Sequence, residues 1–186
     1  MLDVNSGSYR ELMRRRPLNV QARFGGEDVA LVSGRDVAGA MGEAGAIALA
    51  ANARNALVIK GVLKAAKRCS AAVYIELAKS ESTYCGANYE NIPEYAARYS
   101  AELGHGVVFA LHVDHYGIKG EEDVLKGVSH LQHIISRGFT SVALDASHLP
   151  DYQNLCATRD LADWIPSGLG LEVEVVDEKG RPVPWD

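Results

Sequence analysis

The feature that most constrains the fold of this chain is a regular alternation, from Ala44 onward, between short apolar runs and longer amphipathic runs. Such an alternation is typical of repeated β-α units. It predicts strands over residues 47–52, 72–77, 107–114, 141–146 and 171–176. It predicts helices over residues 57–68, 93–103, 121–136 and 158–165. We therefore expect an α/β domain in which helices separate the strands.

The predicted strands are nearly continuous apolar runs, such as Val-Val-Phe-Ala-Leu at residues 107–111. Strands of this kind are buried on both faces, which indicates a parallel sheet covered by helices. A closed eight-stranded barrel takes roughly 250 residues, so a length of 186 residues favours an open doubly wound sheet. Against that sheet, residues 51–55 lack the glycine-rich fingerprint that follows the first strand of dinucleotide-binding folds. The pattern alone leaves both architectures open.

The first 43 residues do not follow the alternation. They contain one short predicted helix at residues 9–13, a turn at Gly25-Gly26, and a weak strand and helix between Val29 and Met41. We therefore divide the chain into an N-terminal extension, residues 1–43, and a β-α domain, residues 44–186.

The composition argues against several kinds of partner. A net charge of −5 and a pI near 5.7 provide no general attraction to nucleic-acid phosphates. The most apolar window, residues 44–53, is much shorter than a membrane span. The three cysteines, Cys69, Cys85 and Cys156, form no closely spaced pair that would bind a metal or form a redox motif. We expect a cytoplasmic protein that binds neither nucleic acid nor membrane.

Titratable side chains gather where the predicted strands end. The third strand ends in His112-Val-Asp114-His115, the fourth ends in Asp145-Ala-Ser-His148, and the fifth carries Glu172-Val-Glu174. Parallel α/β folds place their active sites at this edge, and alternation puts His112 and Asp114 on one face of their strand. Imidazole and carboxylate groups form a ligand set that zinc accepts. For any single residue, a helix cap or a hydrogen bond to the loop backbone is the favoured interpretation. Taken together, the three strand ends favour a site.

The other candidate residues have simpler interpretations. His105, His130 and His133 lie on predicted helices or at their ends, where surface or packing roles suffice. Lys79 follows a strand, where a lysine could form a Schiff base. Its place beside Glu81 favours a salt-bridged surface residue instead.

Three ordered motifs carry a resemblance to a known family. They are Leu-His-Val-Asp-His at residues 111–115, Gly-Phe-Thr-Ser-Val at residues 138–142, and Asp-Ala-Ser-His-Leu-Pro at residues 145–150. With the Glu-Val-Glu of residues 172–174, they resemble the class II, zinc-dependent fructose-bisphosphate aldolases. Residues 51–66 are similar to that family's first barrel strand and helix, so the likeness covers roughly residues 45–178.

The resemblance implies a partial (β/α)8 TIM barrel of about five parallel strands with flanking helices, preceded by a short N-terminal extension. It also implies that a zinc ion polarises the carbonyl of a phosphorylated ketose, which is cleaved reversibly to dihydroxyacetone phosphate and an aldehyde. By analogy, Asp114 is the catalytic acid/base and His115 is a zinc ligand. Asp145 and Glu174 match positions that bind the metal at a second, more buried location. Ser80 corresponds loosely to a serine that contacts the substrate.

The sequence also departs from the family. The family supplies two further histidine ligands, a glycine-rich loop and an Asn-x-Asp-Thr stretch from later strands, whereas this chain has no histidine after His148. Val176 replaces a family glycine, and we assign no catalytic role to the nearby Glu178. Catalytic zinc usually has three protein ligands, so we expect this polypeptide to bind zinc weakly and to catalyse little.

Other functions remain consistent with the sequence. The chain is either a truncated aldolase or a non-catalytic remnant that acts as a half-barrel interaction module. A tagatose-bisphosphate aldolase, or another metal-dependent enzyme acting on sugar phosphates, is a further alternative. A five-stranded parallel sheet would leave two open edges. We therefore expect a homo-oligomer, or pairing with a chain that completes the barrel.

Overall fold

The structure is a computed structural model that describes residues 3–174, with side chains to residue 172. The described strands are β1 Leu49–Asn52, β2 Val73–Ala78, β3 Phe109–Gly117, β4 Ser141–Asp145 and β5 Gly170–Glu174. The described α-helices are α1 Gly7–Arg14, α2 Leu18–Phe24, α3 Gly34–Ala44, α4 Ala56–Cys69, α5 Ile92–Glu102, α6 Glu121–Ser136 and α7 Asp151–Ala162. A short 3-10 helix, Glu81–Thr83, follows β2.

The strands form a single sheet in the order β1-β2-β3-β4-β5, and every neighbouring pair is parallel. A doubly wound sheet reverses its strand order partway across, whereas a β/α barrel adds each strand beside the last. The sequential order therefore confirms the α/β fold with five parallel strands of barrel type. The sheet is not closed: within the described residues, β1 and β5 each pair with one strand only.

The two faces of the sheet are covered unequally. Alternate strand residues such as Ile75, Leu111 and Val142 face the main core, which is formed with the helices that follow each strand. The residues between them face the other side, which we call the inner face. There α3 contributes to a small second core that includes Val37, Ala110 and other residues. The remainder of the inner face is polar, and this is where the site lies.

Local sequence signals account for several helix ends. The side chain of Asn55 accepts hydrogen bonds from two backbone amides at the start of α4, and the Ser33 hydroxyl accepts one at the start of α3. Gly138, with φ of 105°, lies after α6, where a left-handed residue is favoured.

Two helix predictions were incomplete. Helix α7 begins at Asp151, seven residues before the predicted start at Thr158. Its buried residues include the polar Asn154 and Thr158, so the apolar pattern that indicates a helix is weak there. Helix α2 was not predicted. It is only seven residues long.

The N-terminal helices are attached to the rest of the chain by hydrogen bonds. The buried guanidinium of Arg16 donates to the carbonyls of Phe24, Glu27 and Val29. The Asn19 amide donates to the carbonyls of Ile135 and Phe139, at the end of α6 and just beyond it. The division of the chain after residue 43 stays a prediction. None of the helices described here is long and apolar enough to cross a membrane.

Candidate active site

The carboxyl end of β3 contains a β-bulge. His112 and Val113 pair with Ser141 and Val142, but the next pairs join Tyr116 to Leu144 and Gly117 to Asp145. Strand β3 therefore has one residue more than β4 across this interval, and His115 has a φ of 42°. A bulge of this kind redirects side chains. Asp114 and His115, although consecutive, both reach the edge of the inner face, while Tyr116 returns to the main core.

At this edge the imidazole of His115 lies between two carboxylates. Its Nδ1 is 3.4 Å from Asp145 Oδ2, and its Nε2 is 3.6 Å from Asp114 Oδ1. The His115 side chain is 53% exposed. We call Asp114, His115 and Asp145 the rim group. His115 therefore contacts two other residues that were proposed from the sequence, Asp114 and Asp145.

Asp145 is held in its charged form. Burial alone would raise its pKa, but hydrogen bonds from the Ser147 hydroxyl and backbone N–H, and from His115, outweigh burial and hold the pKa below its usual range. The backbone of Glu174 pairs in register with Asp145 on the neighbouring strand. The side chain of Glu174 lies outside the described residues.

A second group lies deeper on the inner face. One ligand atom from each of Glu76, His112 and Asp114 lies within 4.8 Å of the others. Glu76 and His112 are partners in the register of β2 and β3. The Nε2 atom of His112 is 4.0 Å from Glu172 Oε2. We call Glu76, His112 and Asp114 the inner-face group. The sequence placed His112 and Asp114 on one face but did not single out Glu76. The sequence signal for Glu76 was its place near the end of the predicted strand over residues 72–77.

Burial changes the charge states of this group. Burial, followed by the nearby His115, lowers the pKa of His112 to about 4, so its imidazole is neutral near pH 7. Burial also raises the pKa of Glu76 to about 7, and the charges of Asp114 and Glu172 add to this rise. Glu76 is therefore protonated more readily than an exposed glutamate.

The inner face forms a cleft of about 890 Å³, which is within the size range of small-molecule sites. Its lining includes Glu76, His112, Asp114 and Glu172. Arg35, at the start of α3, is the only Lys or Arg among the described lining residues, and it donates to the Ser167 carbonyl at 2.9 Å. Arg35 was not identified from the sequence.

Ser80 follows the carboxyl end of β2 and lies outside the cleft lining. It is exposed and begins the 3-10 helix, two residues beyond Ala78, which pairs in register with Asp114. Its carbonyl accepts a hydrogen bond from the Thr83 hydroxyl at 3.2 Å.

Lys79 forms a salt bridge, as predicted, but its partner is Asp123 rather than Glu81. The Lys79 ammonium donates to the Gly117 carbonyl at 2.7 Å, lies over the Tyr116 ring and is 3.6 Å from Asp123. Glu81 is buried and instead accepts hydrogen bonds from Asn52 and Arg54. Lys79 and Glu81 are two residues apart in sequence, but they have different partners because the chain passes from β2 into the 3-10 helix between them.

Three other histidines, His105, His130 and His133, contact protein groups outside the cleft lining. His130 lies 2.9 Å from the Tyr116 hydroxyl, His133 lies 2.5 Å from Glu90, and His105 lies 2.5 Å from the Asp28 carbonyl oxygen. These contacts agree with surface and packing roles.

The fold and the site together define a segment of a β/α barrel with acid and imidazole groups at the edge where barrel enzymes hold their active sites. A sequence model of the family described as "Fructose-bisphosphate aldolase class-II" matches residues 33–179. The chain belongs to this family.

Individual relatives are consistent with this family assignment. A fructose-bisphosphate aldolase of Streptococcus pneumoniae is 29% identical over 125 residues, which are 67% of this chain and 39% of that relative. The chain thus spans about two fifths of its curated relatives. Among solved structures, the YdjI aldolase of Escherichia coli K12 matches with a TM-score of 0.61 at 19% identity, over 77% of this chain and 51% of the other. A fructose-bisphosphate aldolase of Campylobacter jejuni matches with a TM-score of 0.59 at 22% identity, over 81% and 50%. At such identities these structures support the fold alone.

Proposed function

We propose that this chain carries the metal-binding and acid/base half of a zinc-dependent class II aldolase site. The reaction is the reversible aldol cleavage of a phosphorylated ketose to dihydroxyacetone phosphate and an aldehyde. The observation that supports this most strongly is the contact of His115 with both Asp114 and Asp145 at the carboxyl edge of a barrel-type sheet. Family membership supports the choice of reaction.

The donor set at the rim fits zinc. An imidazole with carboxylate oxygens is a common zinc ligand set, and His115 and Asp145 bring these atoms within 3.4 Å of each other. We assign His115, Asp145 and Glu174 as the residues that hold the ion. When bound, zinc supplies Lewis-acid polarisation of the substrate carbonyl.

Asp114 is assigned the proton transfer at the hydroxyl beside the bond that is cleaved. Proton transfer of this kind needs a carboxylate within hydrogen-bond reach of the reacting group. The position of Asp114 in the cleft lining and next to His115 supports this assignment. Ser80 is assigned a substrate contact at the end of β2. Arg35 supplies positive charge in the cleft, which suits a phosphorylated substrate.

We do not expect the residues of this chain to catalyse aldol cleavage efficiently by themselves. Only His115 among the histidines of the chain matches the family's catalytic ligands, and a catalytic zinc site usually has three protein ligands. We therefore propose weak zinc binding and little or no aldol cleavage by this polypeptide alone.

A half-barrel interaction module is the second candidate. It is favoured by exposed apolar residues along the open edge at β1, where Ile47 is 95% exposed and Leu49 is 68% exposed. Edges of this kind pair readily with another chain. The pairing would be either with a second copy or with a chain that completes the barrel.

Calorimetric binding of dihydroxyacetone phosphate tests the proposed function without requiring turnover. We expect binding that depends on added Zn²⁺, that is lost in His115→Gln, and that persists in Asp114→Asn. Lys79→Met is the control, because an aldolase of the Schiff-base type would need a lysine. Binding that survives EDTA, or borohydride trapping of the ligand on Lys79, would refute the zinc proposal.

A further inference from the structure

The imidazole of His112 is buried but not fully hydrogen-bonded. The residue is 6% exposed, and Nδ1 lies 2.9 Å from the Ser141 hydroxyl. The tautomer that donates Nδ1–H to Ser141 leaves a lone pair on Nε2. Among the residues that the structure describes, Nε2 has no hydrogen-bond partner, and Glu172 is 4.0 Å away. A histidine that is this buried, lines the cleft and has one ring nitrogen without a described partner is suited to bind a metal ion.

The carboxylates of Glu76 and Asp114 lie close to this imidazole and to each other. Glu76 accepts no hydrogen bond from a described residue, and it faces the charges of Asp114 and Glu172. The guanidinium of Arg35 lines the same cleft and donates to the Ser167 carbonyl, and it forms no ion pair with these carboxylates among the described residues. Close carboxylates repel one another unless one of them is protonated or a cation lies between them.

We propose that Glu76, His112 and Asp114 form a divalent-cation site on the inner face of the sheet, with Glu172 as a fourth ligand. The site is separate from the zinc position assigned to His115, Asp145 and Glu174. The ligand atoms of its three principal residues already lie within 4.8 Å of one another. They come from β2 and β3, which are rigid strands rather than loops.

The donor set indicates which cations bind. One imidazole with two or three carboxylates suits Zn²⁺ and Mn²⁺, whereas thiolate-preferring ions have no ligand here. The hydrogen bond between His112 Nδ1 and the Ser141 hydroxyl fixes the orientation of the ring, as the second ring nitrogen of ligand histidines usually does.

This proposal does not depend on the proposed function, but the two interact through Asp114. A carboxylate that binds a cation on the inner face is not free to transfer a proton at the rim. Occupation of the inner-face site therefore opposes the acid/base role of Asp114.

The test uses Mn²⁺ and the full chain in a His115→Gln background, which removes the rim ligand. Calorimetry should show about one equivalent of Mn²⁺ bound. Glu76→Gln and His112→Gln, added separately, should each weaken that binding at least tenfold. Glu43→Gln, on the exposed surface of α3, is the matched control and should leave it unchanged.

Thermal unfolding shows whether each variant is folded. Glu76→Gln removes a repelled charge, so we expect a higher Tm than the background protein without metal, and no rise when Mn²⁺ is added. A folded Glu76→Gln protein that keeps the Mn²⁺-induced rise overturns the proposal. Unchanged Mn²⁺ affinity in His112→Gln overturns it equally. Neither result bears on the zinc-dependent binding of dihydroxyacetone phosphate by the His115 site.

Discussion

His115 lies between Asp114 and Asp145, with Nε2 3.6 Å from Asp114 Oδ1 and Nδ1 3.4 Å from Asp145 Oδ2. Two structural facts produce this arrangement, namely the extra residue of β3 and the left-handed backbone of His115. Consecutive strand residues normally face opposite sides of a sheet. The bulge therefore allows one strand end to present an acid and an imidazole at the same edge of the sheet.

The left-handed backbone of His115 should have a measurable cost. A side chain at this φ costs roughly 1–2 kcal/mol relative to glycine, so His115→Gly should be more stable than His115→Ala by about 1 kcal/mol. Both variants lose the imidazole, so the comparison isolates the backbone term. Urea unfolding measures the difference in free energy.

The same pair of substitutions at Ser129 is the control, because that residue is exposed and within α6. There the order should reverse, with alanine about 1 kcal/mol more stable than glycine. If His115→Ala equals or exceeds His115→Gly in stability, the bulge geometry is not as described.

The contact between α3 and the sheet leaves no space for a side chain at Gly34. A Cβ there would lie 2.5 Å from Ser141 Cβ and 3.1 Å from the Tyr74 ring. We expect Gly34→Ala to destabilise the protein by about 1–3 kcal/mol and to disturb the hydrogen bond between Ser141 and His112. Gly39→Ala, in the same helix and with nothing within 4 Å, should be neutral or stabilising by up to about 1 kcal/mol. Equal urea midpoints for the two variants would contradict this packing.

Glu81 should make the stability depend on pH. Burial alone would raise its pKa, but hydrogen bonds from Asn52 and Arg54 hold the pKa below the ordinary value of 4.5. The folded state therefore favours the charged form, and this contribution is present above pH 4.5 and lost as the pH falls through the lower folded pKa. Glu81→Gln should destabilise the protein at pH 7, with a deficit that shrinks under acidic conditions.

The exposed pair of Glu11 and Arg15 provides the comparison, since surface ion pairs contribute about 1 kcal/mol or less. Glu11→Gln should change the free energy of unfolding little at any pH. A Glu81→Gln deficit that stays constant from neutral to acidic pH would show that the carboxylate charge is not what Asn52 and Arg54 stabilise.

The sequence was informative where a pattern is local. Alternation along β3 correctly placed His112 and Asp114 on one face, and the apolar runs identified the five strands. It could not show that His115 joins Asp114, because a bulge changes the register without changing the residue pattern. It could not show that Glu81 contacts Arg54 rather than Lys79, because that choice depends on how β1 and β2 lie side by side. Glu76 became a candidate only when its register with His112 was known.

The central claim is that this chain carries half of a class II aldolase site, and an aldol-cleavage assay tests it most directly. Fructose bisphosphate and Zn²⁺ are added to the purified chain, and the triose phosphate product is followed by coupled NADH oxidation. We predict that the rate equals that of the Asp114→Asn variant and is unchanged by EDTA. Turnover that is robust, sensitive to EDTA and abolished by Asp114→Asn would contradict the account, because it would show that a complete site is assembled.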